Sequence, residues 1–375
     1  MIIGILNLPF DANYGGNLQR YALVKVLTDR GHDVTCFFVE PVRKLVWYKK
    51  PYSYSKRLMQ KIFINHSMTI NLEKKINDET RERNKKALEF YEKYIPHTAS
   101  IHNVKDLLRI NYSSFDVIIV GSDQVWRKSY TKMLGLDNYF LSFVPDSVRK
   151  IAYGASFGSK DNELTQNDIK RIGKLYKRLN GVSVRENGAI KLIKEQYHWH
   201  GPEPLLVLDP TLLLDKEHYL DLISKGNCKD SSKNINVFCY ILDKANNKID
   251  EINDFCRKNK LKHDILDFSN IELQSIETWL AAFNDVDYVI TDSFHGCVFS
   301  IIFQKQFAVF DNASRGNDRI SNLLKLLDLE DRIVNFKDST VTDVFDKAID
   351  YRSVEKKLYA LKKSSINYIE KSLYE

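Results

Sequence analysis

The residues best suited to chemistry lie at 291–296, where Thr291, Asp292, Ser293, Phe294, His295 and Gly296 follow a β-branched run at 287–290 and precede an apolar segment at 297–303. This pattern reads as a strand, a short turn and a helix. In an open parallel sheet the loop at a strand's carboxyl end is where ligands bind. The helix start that follows presents unpaired N–H groups and partial positive charge, which suit a phosphate or a carboxylate. Ser293 and Gly296 stand where such an anion would rest. His295 can donate a hydrogen bond to it and move a proton near neutral pH. Asp292 adds a carboxylate beside it. The loop is expected to be an anion-binding active site.

Other stretches carry chemistry more weakly. Asn13, Tyr14, Gly15, Gly16 and Asn17 lie between an apolar run and a helical one. The two glycines let a backbone pass close to a ligand or simply turn; no dinucleotide-binding glycine pattern is present. Asp123 and Gln124 follow the apolar run 115–121. Asp123 could bind sugar hydroxyls, serve as acid or base, or hold its own loop as an Asx-turn. Arg185, after 182–184, could clamp an anion with its planar fork or pair with Glu186. The segment 208–214, with Asp209 and Pro210, reads as a structural turn. No zinc pattern appears: His198 and His200 straddle Trp199 beside a Pro-rich link and mark an exposed turn.

The elements that must position these residues alternate. Strands are expected at 2–6, 33–39, 115–121, 150–155, 181–184 and 205–208, then at 235–241, 263–267, 286–291 and 307–310. Helices are expected at 162–179, 187–196, 247–258, 276–284, 296–303 and 317–327. Residues 41–110 are helical and polar without a clear strand, and 354–373 form a polar amphipathic helix. A βαβ opening predicts a parallel sheet. Gly201, Pro202, Glu203 and Pro204 suggest a linker. The expected class is α/β and GT-B-like, two Rossmann-like domains facing each other across a cleft. They would comprise 1–204 with a basic helical insertion at about 41–110, 205–345, and a terminal helix at 346–375. Clefts between domains are the usual substrate sites.

With 375 residues, 43% hydrophobic and 28% charged, the chain is of ordinary globular composition and long enough for two domains. It has no apolar window long enough to span a bilayer and no signal-peptide pattern at its start. Its five cysteines are scattered, which predicts free thiols and a cytoplasmic location. The net charge of +7 is uneven. Residues 41–86 hold thirteen Lys or Arg against four Asp or Glu, a local +9 that leaves the rest at −2. Trp47, Tyr48, Tyr52, Tyr54 and Phe63 lie in the same stretch. Such a mixture can hold a protein at the inner face of an anionic membrane or be a solvated insertion; no nucleic-acid role is expected.

In order, Asn13 to Gln19, Gly121 to Trp126, Asp209 to Leu214, Thr291 to Gly296 and Arg315 to Ile320 resemble the motifs of the polysaccharide pyruvyl transferase family. The resemblance covers about residues 1–335. It implies transfer of the enolpyruvyl group of phosphoenolpyruvate to a sugar of a polysaccharide precursor, as a pyruvate ketal, with release of phosphate. It implies no cofactor and no metal. The donor side would comprise Arg185, Ser293, His295, Gly296 and Arg319, and the acceptor side Asn13, Tyr14, Gly15, Gly16, Asn17 and Gln124. His295, Asp123 and Asp292 would be catalytic. Better-characterised members carry an arginine in a Ser-x-Arg-x-His version of the last motif, and Phe294 is read as standing in its place. A nucleotide-sugar glycosyltransferase, or a non-catalytic glycan- or membrane-binding scaffold, is the alternative.

Overall fold

The runs at 2–6 and 117–120 are apolar without alternation, the mark of strands buried on both faces of a parallel sheet. The computed structural model describes residues 1–45, 47–64, 66–67, 69–158, 163–226, 235–266, 273–310 and 317–375. Its first unit contains β1 (Ile2–Leu6), α1 (Tyr14–Thr28), β2 (Asp33–Phe37), α2 (Lys50–Phe63), α3 (Leu72–Tyr94), α4 (Val104–Leu107), β3 (Val117–Asp123), β4 (Arg149–Ala155), α5 (Gln166–Tyr176), β5 (Gly181–Val184), α6 (Asn187–Lys191) and β6 (Leu205–Leu206). The second contains α7 (Lys216–Lys225), β7 (Val237–Tyr240), α8 (Asn246–Asn259), β8 (His263–Ile265), α9 (Ile276–Asn284), β9 (Tyr288–Thr291), α10 (Phe294–Ile302), β10 (Gln306–Phe310), α11 (Asn317–Leu326), β11 (Ile333–Val334) and α12 (Val341–Phe345). A last helix, α13 (Tyr351–Tyr374), follows.

The two sheets run β2-β1-β3-β4-β5-β6 and β11-β10-β9-β7-β8, and the pairings are parallel. Each order reverses at one point, between β1 and β3 and between β7 and β9. Loops leaving neighbouring strands diverge there and open a crevice. The loops after β1 and β3 carry Asp11, Asn13 and Gln124; those after β7 and β9 carry Leu242, Asp292 and Ser293. All of these line one cavity.

Two boundaries differ from the sequence expectation. The Pro-rich segment 201–204 is not the crossing: β6 still pairs with β5 in the first sheet, and Tyr176 donates to Pro202 O at 2.6 Å. The chain crosses at 207–214 instead. Nor is the terminal helix separate. Near its start Tyr351 bonds to Ser300 O at 3.3 Å, and near its end Tyr368 bonds to Ala152 O at 2.9 Å. One apolar cluster runs from β1 and α1 through 212–214 to α9 and α10. Tyr14 stacks on Trp279 within it, with ring centroids 5.2 Å apart.

Residues 41–110 are helical as expected, but not detached. Ala87, Phe90 and Tyr91 of α3 are buried, and Tyr21 of α1 meets Phe90 edge-on at 5.9 Å. His97 and Ile101 form bridges with Cys36 and Val39 beside β2.

Candidate active site

The cleft between the two units encloses about 690 Å³. From the second unit, α10 points its first turn into it. Ser293 holds the cap position without its side chain accepting a hydrogen bond from the helix. The helix starts two residues earlier than the sequence suggested, which puts His295 in the first turn. Gly296 is required by packing: a Cβ there would lie 2.1 Å from Thr291 Oγ1.

His295 is wedged between the units. A Cβ on Gly15 would fall 2.0 Å from its Nδ1, so the bare backbone of α1 forms one wall of its pocket. Its Nε2 stands 4.0 Å from Asp209 Oδ2 and makes no hydrogen bond among the described residues. Burial pulls the imidazole pKa down to about 4; Asp209 opposes that and Arg185 adds to it. His295 is therefore neutral at pH 7, so it is not by itself a loaded acid.

Behind it lies a buried ionic lattice. Arg185, at the end of β5, has a side chain only 2% exposed. One end of its fork donates to Asp209 and the other to Asp123, the latter at 2.8 Å. Arg319 Nη1 donates to the same Asp123 oxygen at 3.2 Å. Asp209 also accepts from Gln19 and from Thr211 N and Oγ1. The Phe294 ring lies under both guanidiniums, 4.8 Å from Arg185 and 5.8 Å from Arg319. Burial raises the pKa of Asp123, but Arg185, Arg319 and His295 outweigh it and hold the carboxyl at about 2. Asp123 also sits at φ 79°, an uncommon conformation that costs on the order of 1 kcal/mol. The ion pairs hold it there.

Several expectations change. Arg185 does not face the cavity, since both ends of its fork are spent on carboxylates, so it positions Asp123 and Asp209 rather than gripping an anion. Asp292 is committed too: it accepts from Leu242 N at 2.7 Å, Asp243 N at 3.0 Å and Lys248 Nζ at 2.8 Å. It ties the β7 loop to the β9 loop at the reversal point. Tyr14 spends its ring on Trp279 and its hydroxyl on Gln274 O. Asn17 spends its amide on Asp11 O, Asn13 O and Arg20. Tyr14 lines the cleft with its polar group already spent, and Asn17 lies buried behind the wall, holding the loop that carries Asp11. Asn13 caps α1 through Gly16 N and, like Gly16, Gln124, Ser293, Asp123 and Arg319, lines the cavity. The arginine of Ser-x-Arg-x-His, counted back from His295, corresponds to Ser293 rather than Phe294. Arg319 brings a guanidinium to that neighbourhood from α11.

Two carboxylates were missed. Asp209 was read as part of a structural turn, although its motif carries the ionic hub. Asp11 had no motif at all. It opens to the cavity solvent yet is hemmed in by the walls, and that crowding raises its pKa despite Arg20 and the Asn13 N–H. Arg83 and Asn84 of α3 and Arg127 line the same cavity, another contribution that no sequence spacing marked. Arg315 and Gly316 lie outside the described residues.

The family model for polysaccharide pyruvyl transferase matches residues 13–314, most of the chain, leaving Asp11 just before it and α11 just after it. This chain belongs to the polysaccharide pyruvyl transferase family. None of the curated proteins matches it in sequence. In fold, the chain is similar to UDP-GlcNAc 2-epimerase from Neisseria meningitidis bound to UDP-GlcNAc, with TM-score 0.54 and 8% identity over 99% of both chains. It is also similar to a putative UDP-N-acetylglucosamine 2-epimerase from Listeria monocytogenes, with TM-score 0.53 and 7% identity over 96% of this chain and 90% of that one. A third is S. aureus MnaA with UDP, with TM-score 0.52 and 10% identity over 92% and 86%. The fold is GT-B, as the sequence suggested.

Proposed function

We propose that the cleft moves the enolpyruvyl group of phosphoenolpyruvate to a sugar diol and releases inorganic phosphate. Membership in the family carries this reading, and the clustering of its motifs around one cavity supports it. The donor's phosphate would sit at the start of α10, against Ser293, His295 and Arg319. Its carboxylate would face the arginines of the opposite wall, Arg83 and Arg127.

Asp11 is the proposed general acid, because it lines the same cavity as Ser293, His295 and Arg319 and the crowding there favours its protonated form. It gives a proton to the donor's methylene carbon, turning it into a methyl. A sugar hydroxyl forms a C–O bond to the neighbouring carbon and passes its proton back to the Asp11 carboxylate. The bond from that carbon to the phosphate oxygen then breaks, and phosphate leaves with the bonding electron pair. A second sugar hydroxyl attacks the same carbon, passes its proton to the released phosphate and closes the ketal. The intermediate has oxocarbenium character. Asp123, anionic at neutral pH, stabilises it through space. His295 takes up a proton as the anionic donor arrives beside it and neutralises the departing phosphate.

Two other readings rest on specific observations. A nucleotide sugar is a possible donor, because a similar fold holds UDP-GlcNAc in the meningococcal epimerase structure. A non-catalytic scaffold is suggested by the absence of the family arginine at Ser293. Titration calorimetry with phosphoenolpyruvate and with UDP-sugars separates these readings. Saturable phosphoenolpyruvate binding, lost in Arg319→Gln, is expected. Binding of UDP-sugars alone would overturn the proposal, and binding of neither would favour the scaffold.

A further inference from the structure

The helix α2 lies against the body through one side only. Arg57 reaches Glu73 of α3 with both ends of its fork, each at 2.7 Å, and also donates to Ile70 O. None of its residues is buried. The opposite side carries Tyr52, Met59 and Phe63, and Tyr48 in the 3-10 turn just before the helix continues it, at intervals of four, seven and four, so they share one face. These are 60%, 73%, 61% and 76% exposed. Lys49 and Lys56 are exposed along the edge of that face. The whole stretch 41–72 contains seven Lys or Arg and no Asp or Glu.

We infer that this outer face of α2 docks on an anionic lipid surface. A helix with an apolar face, flanked by lysines and lying tangential to the body, seats itself at the boundary of headgroups and acyl chains. The charge decides between occupants. A second copy pairing through the same face would bring like-charged lysines together, whereas anionic headgroups complement them. Nucleic acid would meet the lysines but leave the Met59 and Phe63 side chains without apolar cover. The anchor also has a link to the cleft. Glu73, which holds α2, and Arg83, at the cavity, lie ten residues apart on α3, about 15 Å along the helix. The docked protein would therefore open its cleft close to the membrane plane. If the proposed pyruvyl transfer is right, this suits an acceptor sugar presented on a lipid carrier.

Flotation of the full chain with vesicles tests the docking without needing donor or turnover, so it stands or falls apart from the reaction. The protein is expected to float with phosphatidylglycerol-containing vesicles, not with phosphatidylcholine alone, and to be released by about 0.5 M salt, where charges are screened within a few ångströms. The triple variant Lys49→Gln, Lys50→Gln, Lys56→Gln should lose partitioning on the order of a hundredfold. The triple variant Tyr52→Ser, Met59→Ser, Phe63→Ser should also release the protein, with its thermal unfolding unchanged. Wild type that stays unbound, or variants that float as wild type does, would overturn the docking. So would a dimer abolished by the Ser variant, or RNA binding as strong as vesicle binding.

Discussion

At the scale of single residues the site depends on where His295 is held and on which groups carry protons. Gly15→Ala places a methyl inside the imidazole's position, so the ring must move. A misplacement near 1 Å costs about a hundredfold in turnover. A drop of that size in kcat/KM, with normal thermal unfolding, is the expected result; unchanged kinetics would mean that His295 is not positioned by α1. The imidazole proton is directly observable. In the folded protein it should titrate near pH 4 by NMR, against about 6.5 in an unfolded chain. The unfolded chain therefore takes a proton that the folded one refuses, and stability falls as pH drops from about 6.5 towards 4. His295→Gln should remove that part of the acid loss. Adding phosphate should raise the midpoint, and a midpoint that ignores it would remove His295 from the anion site. Asp11→Asn should keep donor binding and lower kcat by about a hundredfold to ten-thousandfold, the range for a lost general acid. Equal turnover would move that role elsewhere.

At the scale of elements, the lattice joining β3, β5, α11 and the 209–211 turn is structural before it is chemical. Arg185→Met leaves Asp123 and Asp209 buried without their shared partner. Breaking such a pair from one side costs about 3–5 kcal/mol. Denaturant unfolding should show that loss, and an unchanged midpoint would mean that Arg185 is dispensable to the fold. The strands at 2–6 and 181–184 and the helix at 276–284 were legible to the residue: an apolar run marks the first, valines on either side of Ser183 the second, and Ser275 before an apolar stretch the third. α12 and β11 were not, since five and two residues are too short to show a period. α7 was missed although Tyr219 and Leu222 mark its buried side; the apolar run at 212–214 just before it drew the reading to the turn. The motifs located the site. They could not show which polar groups were already spent. Arg185, Asp292 and Tyr14 lose their free groups to partners distant in sequence, and Asp11 gains its role only because β1 ends at the reversal of its sheet.

At the scale of the molecule, the two sheets present their reversal points to one cavity, and α13 ties the units together from outside. Removing residues 365–375 would delete the buried Ser365, Tyr368, Ile369 and Leu373, along with the bonds of Ser365 to Leu208 N and of Tyr368 to Ala152 O. The truncated chain should be markedly less stable in thermal unfolding; an unaltered transition would show that the strap is incidental. No helix among the described residues is long and apolar enough to cross a membrane. Contact with lipid would therefore fall to surfaces such as α2. The central claim, transfer from phosphoenolpyruvate inside this cleft, meets its most direct test in a single reaction that follows both products. Phosphate release should require a glycan acceptor, the acceptor should gain the mass of one pyruvyl ketal per phosphate released, and both should slow together in Asp11→Asn. Acceptor modification with a nucleotide sugar but not with phosphoenolpyruvate would contradict it.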